Sequence, residues 1–184
     1  MGLTVKHALL IGLIYLAAVQ AVDAQAKQYR DNKFGVSVSF PAGWKWSKTK
    51  RWGDHESTVV FKDPKGDREL KLYVKLLKSA ENLSPEDMDK KLMSEAEYKV
   101  VQRKRQGLSD YRIRPGTYQR RIVHHAPALS WVSEFTDDGE YMVEYLTRIR
   151  SVNSNALFFA FIPADELEDF RKRVDPIIES LGIP

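Results

Sequence analysis

Apolar and polar residues alternate over 33–40, with Phe34, Val36, Val38 and Phe40 on one side and Gly35, Ser37 and Ser39 on the other. A period of two with one apolar side predicts a strand buried on one face. Pro41-Ala42-Gly43 ends it, Trp44 and Trp46 follow at strand spacing, and a polar loop is expected over 47–56 before a second strand at 57–62. Asp63-Pro64-Lys65-Gly66-Asp67 is a turn sequence, and Leu70, Leu72, Val74 and Leu76 alternate beyond it. The pair is expected to form a hairpin.

The period then changes. Ser84 supplies an N-cap, Pro85 the first helical position and Asp87 a carboxylate three residues after the cap. Met88, Leu92, Ala96 and Val100 recur at four-residue spacing as an apolar stripe. Glu86, Asp87 and Asp89 lie in the first turns and Arg103, Lys104 and Arg105 in the last, which complements the helix dipole, and Gly107 is the stop.

Four further strands are expected at 117–124, 128–135, 140–150 and 156–162, with turn formers at Asp137-Asp138-Gly139 and Asn153-Ser154-Asn155. An antiparallel meander is the simplest arrangement. In the last strand Leu157, Phe159 and Phe161 face one way and Phe158, Ala160 and Ile162 the other. Apolar residues on both faces predict a central strand covered on both sides. A closing helix begins near Ala164, with Leu167, Phe170, Val174, Ile177, Ile178 and Leu181 at helical spacing, and Pro176 is expected to kink or break it. Strands interrupted by one helix and followed by another predict an α+β domain, an antiparallel sheet flanked by helices in an α/β/α sandwich.

Three stretches carry a family resemblance: Tyr29 to Trp44 (YRDNKFGVSVSFPAGW), Ser84 to Leu92 (SPEDMDKKL), and Asn155 to Phe161 (NALFFAF) with the helix from Phe170 to Leu181. In their order along the chain they resemble the PsbP/Mog fold family, which includes the extrinsic PsbP subunit of photosystem II and a Ran-binding nuclear protein. The resemblance implies a noncatalytic scaffold. Only residues 25–32 precede the first expected strand, whereas PsbP uses a long N-terminal extension on the photosystem. Export from the cytoplasm is incompatible with the nuclear role.

Export is expected from the first 24 residues, which combine Lys6 and His7, an apolar run from Ala8 to Val19, and small residues before Gln25. Cleavage after Ala24 places Val22 and Ala24 at the small-residue positions, and Ala26 offers a second site. The apolar run is well short of the roughly 20 residues that cross a bilayer. Residues 25–184 are therefore expected as one periplasmic or extracellular domain without a transmembrane span. Loss of 1–24 removes one base, Lys6, and one acid, Asp23, so the formal charge stays at +4. The chain has no cysteine, which excludes disulfides, thiolate metal sites, a cysteine nucleophile and a lipid-modified cysteine. A cysteine-free exported chain of this size points to a bacterial envelope.

Chemistry is sparse. His124 and His125 are adjacent in an expected strand, where they would face opposite sides and fail to share an ion. His55 with Asp54 and Glu56 could make a weak metal site, but a solvated polar loop is the better reading. Asp137-Asp138-Gly139-Glu140 clusters carboxylates without calcium-loop spacing, and is better read as a hairpin turn. No Gly-x-Ser-x-Gly elbow, P-loop or dinucleotide fingerprint occurs, so no cofactor is expected.

Two surface features remain. Lys99, Arg103, Lys104, Arg105, Arg112, Arg114, Arg120 and Arg121 face the single acid Asp110 between Lys99 and Arg121. They make a solvated face or a patch for an anionic ligand or an envelope partner protein, before nucleic acid. Trp44, Trp46 and Trp52, interleaved with lysines and Arg51, are an aromatic platform or, for the first two, a cap on the core with Trp52 exposed. The expected function is that of an exported noncatalytic binding or accessory module. The alternatives are a hydrolase-type envelope enzyme with a site assembled from scattered polar residues, and a structural subunit with a permanent partner.

Overall fold

The computed structural model describes residues 26–184, so the expected signal peptide at 1–24 lies outside the described residues. Strands β1 (Lys27–Asp31) and β2 (Val36–Phe40) form a separate antiparallel hairpin. An eight-stranded sheet follows from β3 (Lys45–Trp52), β4 (Glu56–Lys62), β5 (Glu69–Leu76), β6 (Arg112–Ile113), β7 (Gln119–Val123), β8 (Ala126–Asp137), β9 (Glu140–Arg150) and β10 (Ser154–Pro163). Its order is β3-β4-β5-β10-β9-β8-β6, with β7 also paired to β8, and every pair is antiparallel. The expected meander is present as β7 to β10, and β10 lies between β5 and β9. Helix α1 (Pro85–Arg105) crosses one face, and helix α2 (Leu167–Glu179) packs on the other with the β1–β2 hairpin.

The two faces differ in chemistry. Under α2 the core is mainly apolar, with a buried Ser130–Thr147 hydroxyl pair in it: Val59, Phe61, Leu70, Leu72 and Phe158 from the sheet meet Phe170, Val174, Ile177 and Ile178 from α2 and Phe34, Val36, Val38 and Phe40 from the hairpin. The C-terminus closes this layer. Ser37 and Gly182 exchange backbone hydrogen bonds (3.0 and 2.8 Å), and the Ser180 hydroxyl donates to the Ser39 carbonyl at 2.9 Å. Under α1 the apolar cluster is smaller, with Met88, Leu92 and Ala96 against Leu129, Trp131, Leu146 and Leu157.

The α1 boundaries match the sequence reading. Ser84 Oγ accepts the Asp87 amide at 3.1 Å, and beyond Gln106 the chain reverses at Gly107, whose φ of +102° glycine adopts without strain. Three expectations are corrected. The loop expected over 47–56 is mostly β3, because pairing with β4 outweighs its polar composition. Residues expected to precede the first strand form β1. The closing helix starts with a 3₁₀ turn, Ala164–Glu166, and α2 continues through Pro176 to Glu179. Pro176 sits so near the C-terminal end that buried Ile177, Ile178 and Leu181 hold the last turn. Asp138 (φ +48°) and Gly139 (φ +84°) form the expected hairpin turn. Among the described residues no helix is long and apolar enough to cross a membrane.

Candidate functional site

Alternation along β9 places Glu144, Leu146, Arg148 and Arg150 on the α1 face of the sheet and Val143, Tyr145, Thr147 and Ile149 on the α2 face. Above them α1 presents Glu95, Lys99 and Arg103, spaced four residues apart and so on one side of the helix. Charged residues therefore meet between two layers, where an unpaired charge costs several kcal/mol, of order 3–5. Pairing resolves most of it. Glu144, fully buried, accepts Arg103 Nε at 3.0 Å, a second short contact from Arg103 Nη2, and the Tyr111 hydroxyl at 2.5 Å. Burial and the neighbouring Glu144 carboxylate raise the Tyr111 pKa.

A second network forms toward the start of α1. Arg150, only 2% exposed, donates to Glu95 at 2.7 Å, to Asn155 at 3.0 Å, and to Glu81, which also pairs with Lys91. Glu95 then reaches toward Arg148, with Nε and Oε2 3.1 Å apart but misaligned, so neither atom gains a hydrogen bond. Two carboxylates thus hold two arginines that open onto different cavities.

The larger cavity, about 870 Å³, lies at the N-terminal end of α1. Its walls are the segment before α1, the β7–β8 turn, the β9–β10 turn and the terminal Ile183-Pro184. Ile122 (68% exposed), Val152 and Leu83 present apolar side chains at it, and Arg150 lines it. His124 and His125 also line it, and here the strand expectation is corrected. They are the two residues between β7 and β8, both at positive φ (+46° and +68°), so strand alternation does not separate them and their rings lie 5.6 Å apart.

The basic stretch read from the sequence is distributed rather than pooled. Arg103 is committed to Glu144, Arg112 and Arg114 to Glu134, Arg120 to Asp89, and Arg121 to Asp175 and the Tyr145 hydroxyl. Lys104 and Arg105 are exposed at the end of α1, and Lys99 lies beneath the helix over the Phe159 ring. The tryptophans also divide. Trp44 is buried, as the core-cap reading expects, but Trp46 is 47% exposed and packs edge-on against Tyr29 and Phe40, while the Trp52 side chain lies outside the described residues. Asp54 pairs with Lys33 (2.6 Å) and Glu56 with Lys75 (2.9 Å), so the carboxylates beside His55 are held by lysines. Among the described residues no three His, Asp or Glu side chains gather as a metal site.

The Glu134 cluster gives a pH prediction. The Tyr141 hydroxyl (2.6 Å) and the two arginines hold the Glu134 pKa down at about 2. A carboxyl with a depressed folded pKa stabilises fully above its unfolded value, near 4.5, and that stability is lost as pH falls toward 2. Unfolding followed by circular dichroism is expected to show a steeper loss of stability over pH 4.5–2 in the parent than in Glu134→Gln; equal slopes would rule the assignment out.

No protein-family model matches the chain, and no curated protein matches it. Solved structures do. The cyanobacterial PsbP (CyanoP) of Synechocystis aligns over 88% of this chain and 94% of its own at 14% identity and a TM-score of 0.63. A protein of Bacteroides thetaiotaomicron aligns over 87% of this chain at 12% identity and a TM-score of 0.58, and this chain spans 49% of its length. LpqN of Mycobacterium tuberculosis, described as involved in cell envelope biogenesis, aligns over 89% of this chain and 88% of its own at 11% identity and a TM-score of 0.50. The family resemblance read from the strand and helix motifs thus agrees with the three-dimensional comparison, and the chain has a PsbP-like α+β fold.

Proposed function

We propose that the chain is exported, loses residues 1–24, and works from 25–184 as a noncatalytic accessory module of the cell envelope that docks an apolar segment of a partner protein at the N-terminal end of α1. The observation that carries this is the convergence of exposed Ile122, Val152 and Leu83, from β7, the β9–β10 turn and the segment before α1, on one cavity of about 870 Å³. A contiguous apolar surface rimmed by polar groups is the usual mark of an interaction site. Covering a side chain such as Ile122 is worth about 1.5–3 kcal/mol, enough for three such chains to anchor a partner. Arg150 is already held by Glu81 and Glu95, so the cavity offers a partner apolar contact more than free charge. Similarity of fold to LpqN is consistent with an envelope setting.

The test is photo-crosslinking in the native envelope from a reactive amino acid at Ile122, with the same group at Lys104 as control. Intact mass of the exported protein, expected to begin at Gln25, is read from the same preparation. One adduct specific to position 122, reduced at least tenfold by Val152→Asp in a folded protein, is expected. Adducts unaffected by Val152→Asp, or equal from both positions, would refute the docking site.

A further inference from the structure

A second cavity, about 440 Å³, opens on the flank of α1 between the helix and the sheet, and its chemistry differs from that of the first. Its lining carries three cations, Lys75, Lys99 and Arg148, against one carboxylate, Glu95. Lys75 is paired with Glu56 at 2.9 Å. Lys99 is half-buried, its ammonium 5.5 Å from the centre of the Phe159 ring, and the nearby carboxylates are occupied by arginines: Glu144 by Arg103, and Glu95 by Arg150. Arg148 is largely buried, and its Nε lies at ion-pair distance, 3.1 Å, from Glu95 Oε2 without gaining a hydrogen bond.

Glu95 is shared between Arg148 and Arg150, and among the described residues no carboxylate pairs directly with Lys99, so the two cations of the cavity are under-compensated. Burial pulls the pKa of both Lys99 and Arg148 downward, the direction that a bound anion would reverse. Part of the wall around them is aromatic, from Tyr73, Tyr98 and Phe159. Phe159 lies beneath Lys99, and Tyr98, 56% exposed, stands on the outer side of α1 where the cavity meets solvent. Cationic donors in one cavity with aromatic side chains suit a charged oxygen group attached to a ring-sized body. The volume lies within the range of small-ligand sites, roughly 300–1,000 Å³.

We propose that this flank cavity binds a small ring-bearing oxyanion, its carboxylate or phosphate held by Lys99 and Arg148 and its ring placed against Tyr98 and Phe159. The site shares no lining residue with the partner-docking surface at the N-terminal end of α1, so binding at either can fail without the other.

Calorimetry on the mature protein at low salt tests it with four probes: benzoate and phenyl phosphate, which carry the ring, and acetate and inorganic phosphate, which lack it. At least one ring-bearing probe is expected to bind ten times or more tighter than its ring-free counterpart, and which one binds identifies the oxygen group. Lys99→Met and Tyr98→Ala are each expected to weaken that binding tenfold or more. Lys90→Met, which removes the same charge from the solvent side of α1, is expected to leave it unchanged. Lys99→Met removes an unpaired, part-buried charge and should fold with a Tm no lower than the parent. No binding of either ring-bearing probe, equal binding of ring-free anions, or equal weakening by Lys90→Met would overturn the proposal, the last by showing a general attraction of acidic molecules or membranes to a basic surface.

Discussion

Arg103→Met is expected to destabilise the protein by about 3–5 kcal/mol in urea unfolding, among the largest effects of any surface-reaching side chain in it. The reason lies in its partner. Glu144 is fully buried on β9, and two of its contacts come from the Arg103 guanidinium, leaving only the Tyr111 hydroxyl once that group is removed. Methionine keeps an apolar stem against Phe161, over which Arg103 now lies at 4.7 Å, so packing is preserved and the lost charge dominates the measurement. Replacing both partners, Arg103→Met with Glu144→Met, is expected to recover most of the loss, because an apolar pair in place of a buried ion pair is close to neutral. A double-mutant cycle then gives a coupling of at least about 2 kcal/mol. A single substitution costing under about 1 kcal/mol would mean that water reaches Glu144 and that the layer under α1 is open.

How much of this was legible in the sequence depends on whether the determinant is local. The α1 cap, its stop at Gly107 and the hairpin turn at Asp138-Gly139 are fixed by neighbours within a few residues, and the structure has them as expected. The buried face of α1 was legible only halfway. Met88, Leu92 and Ala96 are inside, but the stripe does not continue through Val100; it shifts by one residue to Glu95, Lys99 and Arg103. Nothing in a helix favours burying those three. What favours it is Glu144 and Arg150 on β9, 41 and 55 residues further along the chain, and the signal was the alternation of 140–150 read for its polar residues as well as its apolar ones. The same limit explains β3, whose polar residues become a strand only through β4, and the paired histidines, whose rings come together because the β7–β8 connection has just two residues. The basic stretch was visible as composition, but its carboxylates Glu134, Glu144 and Asp175 lie outside it in sequence, so its neutralisation was not.

Phe158 and Phe159 are adjacent on the central strand, and substituting each by alanine separates the two faces of the sheet. Phe158 is 1% exposed in the apolar layer under α2, and Phe158→Ala is expected to cost about 3–5 kcal/mol, since neighbours held by both the hairpin and α2 have little freedom to collapse into the space. Phe159 is only part-buried, at the edge of the smaller cluster and in the wall of the flank cavity, so Phe159→Ala is expected to cost less than half as much. It should instead act on binding, because Lys99 loses the ring over which its ammonium is placed. Urea midpoints and calorimetry with phenyl phosphate on both variants measure the two effects independently. Equal stability costs would contradict the division into an apolar face that holds the fold together and a charged face left open for a ligand; unequal costs, with binding lost only in Phe159→Ala, would place stability and recognition on opposite sides of one strand.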